Sequence, residues 1–384
     1  MKKILFCTPA PLTKSLGAAK VIVEVAEEMR MLEWDCDLIC PADIAAPGDP
    51  TPQQNFAVNL RSYLKKNGGN YDVVDYDHEY LPYARTEFCS TTLFVARSVL
   101  LAQHLDQISI PTGKSFKAQV GSIIKANARR KQQQQRILVA QATVENADLV
   151  NVSNDDDKAE LVRRGISEDK IKVLPYGISR SRRLLFDEIS SDVPQEPIVA
   201  FVGTFDYRKG AREFPEIVSC VVAAVPGVRF KLLGTKGMFQ TEPEVRSHFP
   251  QRLQKHLEVT PTYKPENLPN LLATCSIGLF PSYIEGMPFG VLEMLAASIP
   301  VVSYDAPGPP MMLPVEYLVP RGESNAMAHK VIELLRDRNE LTKARIWAKQ
   351  RSQQFDWRAI AQETADLYWR RLLSQRTPEE MIAE

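Results

Sequence analysis

Short runs rich in Val, Ile and Leu alternate with longer segments of helical periodicity, and the alternation comes as two successive series. That pattern restricts the fold more than any other property of the chain. In the first series, strand-like runs lie at 4–8, 36–40, 71–75, 98–102, 149–152 and 172–174, while 20–31 puts Val21, Val25, Ala26 and Met29 on one helical face. In the second, the runs lie at 198–202, 229–233, 277–280 and 300–303, with helical patterns at 211–224 and 288–298. Strands separated by helices do not pair as hairpins; they form parallel sheets with helices on both faces. The expected fold is α/β, two doubly wound Rossmann-like domains. Sheets of this kind bind ligands beyond the C-terminal ends of their strands, and two of them facing each other make a cleft.

A length of 384 residues accommodates two domains. Between the series, 179–197 gathers Arg180, Arg182 and Arg183, several acids, Pro194 and Pro197, and reads as a linker. This gives a first domain at 1–178, a linker at 179–197, a second domain at 198–354 and a C-terminal helix at 355–384 that packs back on the first. Lys plus Arg equals Asp plus Glu at 47 each, which argues against a charge-driven nucleic-acid binder. No apolar run approaches the roughly 18 residues of a membrane span. Pro9 and Pro11 cut short the apolar run after Lys2 and Lys3, so the N-terminus reads as a buried strand rather than a signal peptide. The cysteines form no Cys-x-x-Cys and lie mostly in apolar runs, as reduced core thiols of a cytoplasmic protein do.

Two glutamates stand out in the second series. Glu285-Gly286-Met287-Pro288-Phe289-Gly290-Val291-Leu292-Glu293 begins on a loop after an apolar strand and enters an apolar helix. Glu293 has no polar face to occupy there, and a buried carboxylate needs a partner or a ligand. Pro288 suits a first helical turn, and the N–H groups at a helix start suit an anion such as a diphosphate. Two acids flanking an anion site fit a nucleotide-sugar: Glu285 towards the sugar, the helix start at the phosphates, Glu293 at the ribose. The second candidate is Gly203-Thr204-Phe205-Asp206-Tyr207-Arg208-Lys209-Gly210, at the end of the first strand of the second series. Gly203 allows a close turn, and Arg208 and Lys209 can meet the charge of a departing diphosphate.

With these motifs the chain resembles a family 4 glycosyltransferase of the GT-B fold. The resemblance rests on Glu285…Glu293 followed by Pro300-Val301-Val302, on Gly203…Lys209-Gly210, on Ala147-Asp148…Ser153 and on Val173-Leu174-Pro175-Tyr176-Gly177. It covers nearly the whole chain, strongest over 147–320 and weak over 41–141. It implies retaining transfer of a sugar from a nucleotide-sugar donor to a glycan, lipid or lipid-linked acceptor, with no metal or other cofactor. It also implies that the first domain takes the acceptor, and that closure of the cleft brings the two substrates together. It assigns Glu285 to the donor sugar, Glu293 to the ribose and Lys209 to the diphosphate. Thr204 stands where the family often has an arginine, and Arg208 is the residue able to replace that charge. The family's glycine-rich turn corresponds to Gly17, which either approaches a phosphate or opens a helix. Its histidine near the reacting carbon corresponds to His104, with His78 as competitor. Two other readings stay open: a GT-B phosphorylase or synthase acting on a sugar phosphate, and a catalytically silent GT-B scaffold.

Three Asp-x-Asp matches, at Asp35, Asp75 and Asp155, are too scattered to mark a metal site, and Asp155-Asp156-Asp157 reads as a helix start. The histidines lack metal-ligand spacing, and no Gly-x-Gly-x-x-Gly is present. From Gln107 to Val144 there is no acid, yet there are Lys114, Lys117, Lys125, Arg129, Arg130, Lys131 and Arg136. A basic amphipathic stretch over 114–136 suits an anionic membrane surface or an anionic acceptor.

Overall fold

The computed structural model describes residues 2–13, 17–106 and 119–375. The chain forms two compact units. The first unit takes in residues up to Gly177 and again from Asp356 onward, and the second runs over Ile178–Phe355.

The sheet of the first unit contains β1 (Lys3–Cys7), β2 (Asp35–Ile39), β3 (Val73–Asp77), β4 (Leu93–Arg97), β5 (Leu149–Val152) and β6 (Ile171–Val173). They are all parallel, in the order β2-β1-β3-β4-β5-β6. Side chains alternate across a strand. One face of this sheet, with Leu5, Val74, Tyr76, Phe94, Ala96 and Val150, packs in a core shared with Phe56, Leu60, Leu64 and Val144. The opposite face carries Asp75, Arg97 and Asn151, all buried. They meet Tyr368 of the C-terminal helix Trp357–Gln375. The Tyr368 hydroxyl donates to Asp75 at 2.6 Å and accepts from Arg97 at 3.0 Å and Asn151 at 2.5 Å. Arg97 also binds both Asp75 oxygens, so this buried charge pair is two-pronged and satisfied. At the start of the same helix, Trp357 donates its indole N–H to Glu24 at 2.7 Å and stacks on Tyr176.

The second unit holds β7 (Ile198–Val202), β8 (Arg229–Leu233), β9 (Leu257–Thr260), β10 (Ile277–Phe280), β11 (Val301–Asp305) and β12 (Leu318–Pro320). Its parallel sheet has the order β12-β11-β10-β7-β8-β9. Strand order reverses between β7 and β10, and the crevice beyond such a reversal is where doubly wound sheets take ligands.

Two expectations need correction. No strand forms at 98–102. β4 lies at Leu93–Arg97, where all five residues are buried, and the apolar residues after it belong to a turn that ends in the 3-10 helix Ala102–Asp106. Residues 179–197 are not a plain linker. They carry the helix Arg180–Asp187, which buries Phe186 in the second unit. Its periodicity is hidden by a run of arginines, two of which bind the body of the unit: Arg182 reaches Glu293, and Arg183 donates to the Phe355 carbonyl at 2.9 Å.

Candidate functional site

At the reversal point of the second sheet, β7 ends at Val202 and hands the chain to Gly203. Gly203 has φ +151°, and a Cβ there would stand 3.3 Å from the Lys209 side chain. The glycine thus lets Lys209 lie over the strand end. Asp206 then shapes the loop. It accepts from the Thr204 hydroxyl at 2.7 Å and from the Lys209 backbone N–H at 3.0 Å, capping the 3-10 turn Tyr207–Lys209. Thr204 therefore has a structural task here and offers no charge.

Beyond β10, the neighbouring loop brings Glu285 to the same place. One carboxylate oxygen, Oε1, accepts from Lys209 Nζ at 2.8 Å, from Arg208 at 2.9 Å and from the Ser282 hydroxyl at 2.6 Å. Glu285 is 7 % exposed. Burial pushes its carboxyl up, but Arg208 and Lys209 outweigh burial and hold it below the usual carboxylate range. Burial drives the Lys209 ammonium below the usual lysine range, against the pull of Glu285. Arg208 also donates to the Ile284 carbonyl at 2.8 Å. It joins Lys209 at one carboxylate, so the charge absent at Thr204 is present from the same loop.

The following helix, Phe289–Ala296, packs its first turn on the end of β7. A Cβ at Gly290 would stand 2.2 Å from the Val202 carbonyl oxygen, so only glycine permits that approach. The helix start is less open to an anion than its sequence implies. Phe289 N–H bonds to Met287 O, and Val291 and Leu292 N–H groups bond to Pro288 O. Gly286, Met287 and Pro288 connect this turn to Glu285. Glu293, also 7 % exposed, faces Arg182, whose guanidinium reaches its Oε1 at 2.5 Å. Tyr263 lies near this pair: burial raises its hydroxyl pKa, Glu293 adds to the shift, and Arg182 opposes it.

Of the residues read from the sequence as the donor site, Gly203, Arg208, Lys209, Glu285 to Gly290 and Glu293 belong to the second unit, and Gly17 to the first. Ser282 and Arg182 are additions. Ser282 had no distinguishing signal, and Arg182 was concealed in the segment taken for a linker.

Gly17 opens the helix Gly17–Met31 of the first unit, and residues 14–16 before it lie outside the described residues. His104 sits on the 3-10 helix Ala102–Asp106, not at a strand end. It is 5 % exposed, and its Nε2 lies 2.9 Å from Asp157 Oδ1. His78 follows β3, is buried, and accepts from the Ala102 backbone N–H through Nε2 at 3.2 Å. Burial opposes a charge on His78, while Asp77 and Glu79 favour one and raise its pKa. Asp77, His78 and Glu79 have ligand atoms within 4.8 Å of one another. However, Glu79 is bound by Arg136, at 2.6 Å through its Oε1, and His78 is used by Ala102.

Of the basic stretch, Lys114 and Lys117 lie outside the described residues; Arg130 and Lys131 are exposed. Among the described residues no helix is long and apolar enough to cross a membrane. All six cysteines are free; Cys7, Cys36 and Cys275 are buried.

Comparison with known proteins agrees with this architecture. Residues 196–337 match the family model described as glycosyl transferases group 1. The GPI3 subunit of the phosphatidylinositol N-acetylglucosaminyltransferase of Saccharomyces cerevisiae is 23% identical over 237 residues, 59% of this chain and 51% of that protein. The chain spans only 33% and 51% of the two curated relatives it matches. Among solved structures, a sucrose-phosphate synthase from Thermosynechococcus elongatus superposes with a TM-score of 0.72 at 21% identity, covering 98% of this chain and 100% of that one. Anabaena HepE, in complex with UDP and glucose, gives 0.66 at 16% identity, over 96% and 99%. The chain has the GT-B fold, and within its second unit residues 196–337 are similar to glycosyl transferases group 1.

Proposed function

We propose that this chain is a retaining glycosyltransferase that moves a sugar from a nucleoside diphosphate sugar to a hydroxyl acceptor. One observation carries the reading: Lys209, Arg208 and Ser282 all converge on Glu285 Oε1 at the reversal point of the second sheet. Partly buried donors held in place before substrate arrives are what a departing diphosphate requires, because they need no reorganisation as charge develops. HepE, of the same fold, is a complex with UDP and glucose, which supports a nucleotide-sugar as donor.

In this reading Glu293 accepts from the ribose hydroxyls, and Glu285 turns towards the sugar as phosphate oxygens take over Lys209 and Arg208. The bond from the anomeric carbon to phosphate breaks, and the nucleoside diphosphate leaves with its electron pair. The acceptor oxygen bonds to the anomeric carbon on the same face, and its proton passes to a phosphate oxygen of the leaving group. Lys209 and Arg208 supply the positive charge, so a divalent ion is not required. His104 keeps the part that the family resemblance gives it, as the histidine of the reacting sugar, and the acceptor is assigned to the first unit. The acceptor is a hydroxyl of a glycan, a lipid or a lipid-linked molecule; the similarity to the GPI3 subunit of a phosphatidylinositol N-acetylglucosaminyltransferase supports the lipid side. Contact with an anionic membrane through 114–136 belongs to the same proposal, with Arg130, Lys131 and Arg136 exposed and Arg136 also paired with Glu79. Flotation with anionic against neutral vesicles tests that part, and failure to bind either removes it.

The main test is a thermal-shift panel of UDP-, GDP- and ADP-sugars. A ligand at about 100 times its Kd should stabilise the native state by about 2.7 kcal/mol. The best donor is then tested for transfer in the presence of EDTA, and the anomeric configuration of the product is read by NMR. No stabilisation and no turnover with any donor would overturn the assignment. An inverted product would remove retention, and abolition by EDTA would remove metal independence.

A further inference from the structure

The acidic run Asp155-Asp156-Asp157 looks like a helix start, and its first two members behave as one: both are exposed in the first turn of the helix Asp155–Arg163. Asp157 does not. It is 0 % exposed, its own N–H is capped by Asn154 Oδ1 at 2.8 Å, and its carboxylate turns inward to His104. A helix-start acid needs only the positive end of the helix dipole, which it finds at the surface. Burying this one costs desolvation, and burial does raise the Asp157 pKa, with His104 opposing. A buried carboxylate with one oxygen on a histidine and the other, Oδ2, without a hydrogen-bond partner among the described residues is not explained by helix capping.

The surroundings are arranged around the same histidine. The short turn Ala102–Asp106 that carries His104 is held along its length. Ala102 N–H donates to His78 Nε2 at the start. Arg164, just past the end of the Asp157 helix, donates to the Gln103 carbonyl at 2.8 Å and to Asp106 at 2.7 Å. Gln133 donates to the Leu105 carbonyl. One helix thus clamps the turn twice, through Asp157 and through Arg164.

We infer that Asp157 is the positioning residue of His104, committing Nε2 so that Nδ1 is the nitrogen offered to a sugar or acceptor hydroxyl. With the ring proton on Nε2 the histidine donates to Oδ1 and Nδ1 is an acceptor; with it on Nδ1, Nε2 accepts from a protonated Oδ1 and Nδ1 is a donor, so in both arrangements Nδ1 is the nitrogen left for the ligand. A carboxylate or carbonyl on one ring nitrogen is the general means by which a protein sets the tautomer and orientation of the other. The inference rests on the proposed role of His104, and the experiment separates the two.

Asp157→Asn, Asp157→Glu and His104→Ala are compared in the full chain by turnover of the best nucleotide-sugar of the panel. Imidazole ¹⁵N NMR of the wild type and of the two Asp157 variants is recorded alongside. His104→Ala should lower kcat; unchanged turnover there overturns the role of His104, while the spectra still report on the pair. Asp157→Asn should lower kcat by about tenfold or more, the scale on which outer partners of functional histidines act. The donor KM should stay within about twofold, and the His104 ring shifts should change. The double variant should be no worse than His104→Ala alone, since both changes remove one unit. A fall in kcat for His104→Ala with wild-type turnover and unchanged His104 shifts in Asp157→Asn overturns the positioning role. Should Asp157→Asn fail to fold, Asp157→Glu decides. It keeps the charge but displaces it by one methylene, and a folded Glu variant with wild-type kcat overturns the inference equally.

Discussion

At the scale of single residues, the site separates into two ion pairs with different consequences. Lys209 and Arg208 share Glu285, so removing Lys209 leaves the carboxylate partnered by Arg208 and Ser282. Lys209→Ala should therefore keep the fold while lowering kcat by about 100-fold, the loss typical of one preorganised charge-stabilising donor. Unchanged turnover at saturating donor would argue against its role. Glu293→Gln should act on binding instead. A tenfold weaker nucleotide, about 1.4 kcal/mol, is the expected calorimetric result. Glu285 also sets an acid limb. Its folded pKa is depressed, so between that value and the unfolded carboxylate range the unfolded chain binds more protons. Its contribution is present above that range and is lost as pH falls through the folded pKa. The slope of Tm against pH below about pH 4.5 should be shallower in Glu285→Gln than in the wild type. Equal slopes would mean that Glu285 is not the group responsible.

At the scale of elements, much of the fold was legible because strand and helix periodicities differ so plainly. Strands at Leu149–Val152, Ile198–Val202, Arg229–Leu233 and Ile277–Phe280 fall where the apolar runs lie. The failures have physical causes. In Ser98-Val99-Leu100-Leu101 the outer two residues are buried and the inner two half-buried, and a short apolar run of this kind is not distinguished from a strand by composition alone. The Arg180–Asp187 helix buries little beyond Phe186, so it left no apolar stripe. The pairing of Asp157 with His104 spans 53 positions of sequence and has no local signature. The two glutamates were legible because their surroundings are apolar, but Arg182 and Ser282, which partner them, were not. One close approach is an element-scale prediction. Gly290→Ala pushes a methyl into the Val202 carbonyl and should destabilise the second unit by about 1–3 kcal/mol, lowering Tm. A Tm equal to that of the wild type would mean that the helix can slide away from β7 without cost.

At the scale of the whole molecule, the C-terminal helix belongs to the first unit by chemistry as well as by position. Tyr368→Phe removes the donor to Asp75 and the acceptor for Arg97 and Asn151. It should cost about 1–3 kcal/mol of unfolding free energy. Nucleotide affinity, which the proposed function assigns to the second unit, should not change, and a parallel loss of affinity would mean that the two units do not act independently.

The second unit begins and ends at one point: Ile178 N–H donates to the Phe355 carbonyl at 3.0 Å. It is in effect a cassette set into the first unit, with its two ends side by side. Such ends can be rejoined or moved, which is the situation in which circular permutation and domain exchange succeed. Residues 178–355 should therefore be transplantable as one module, whereas the first unit cannot be excised in one piece, because its last helix lies on the far side of the cassette in the chain.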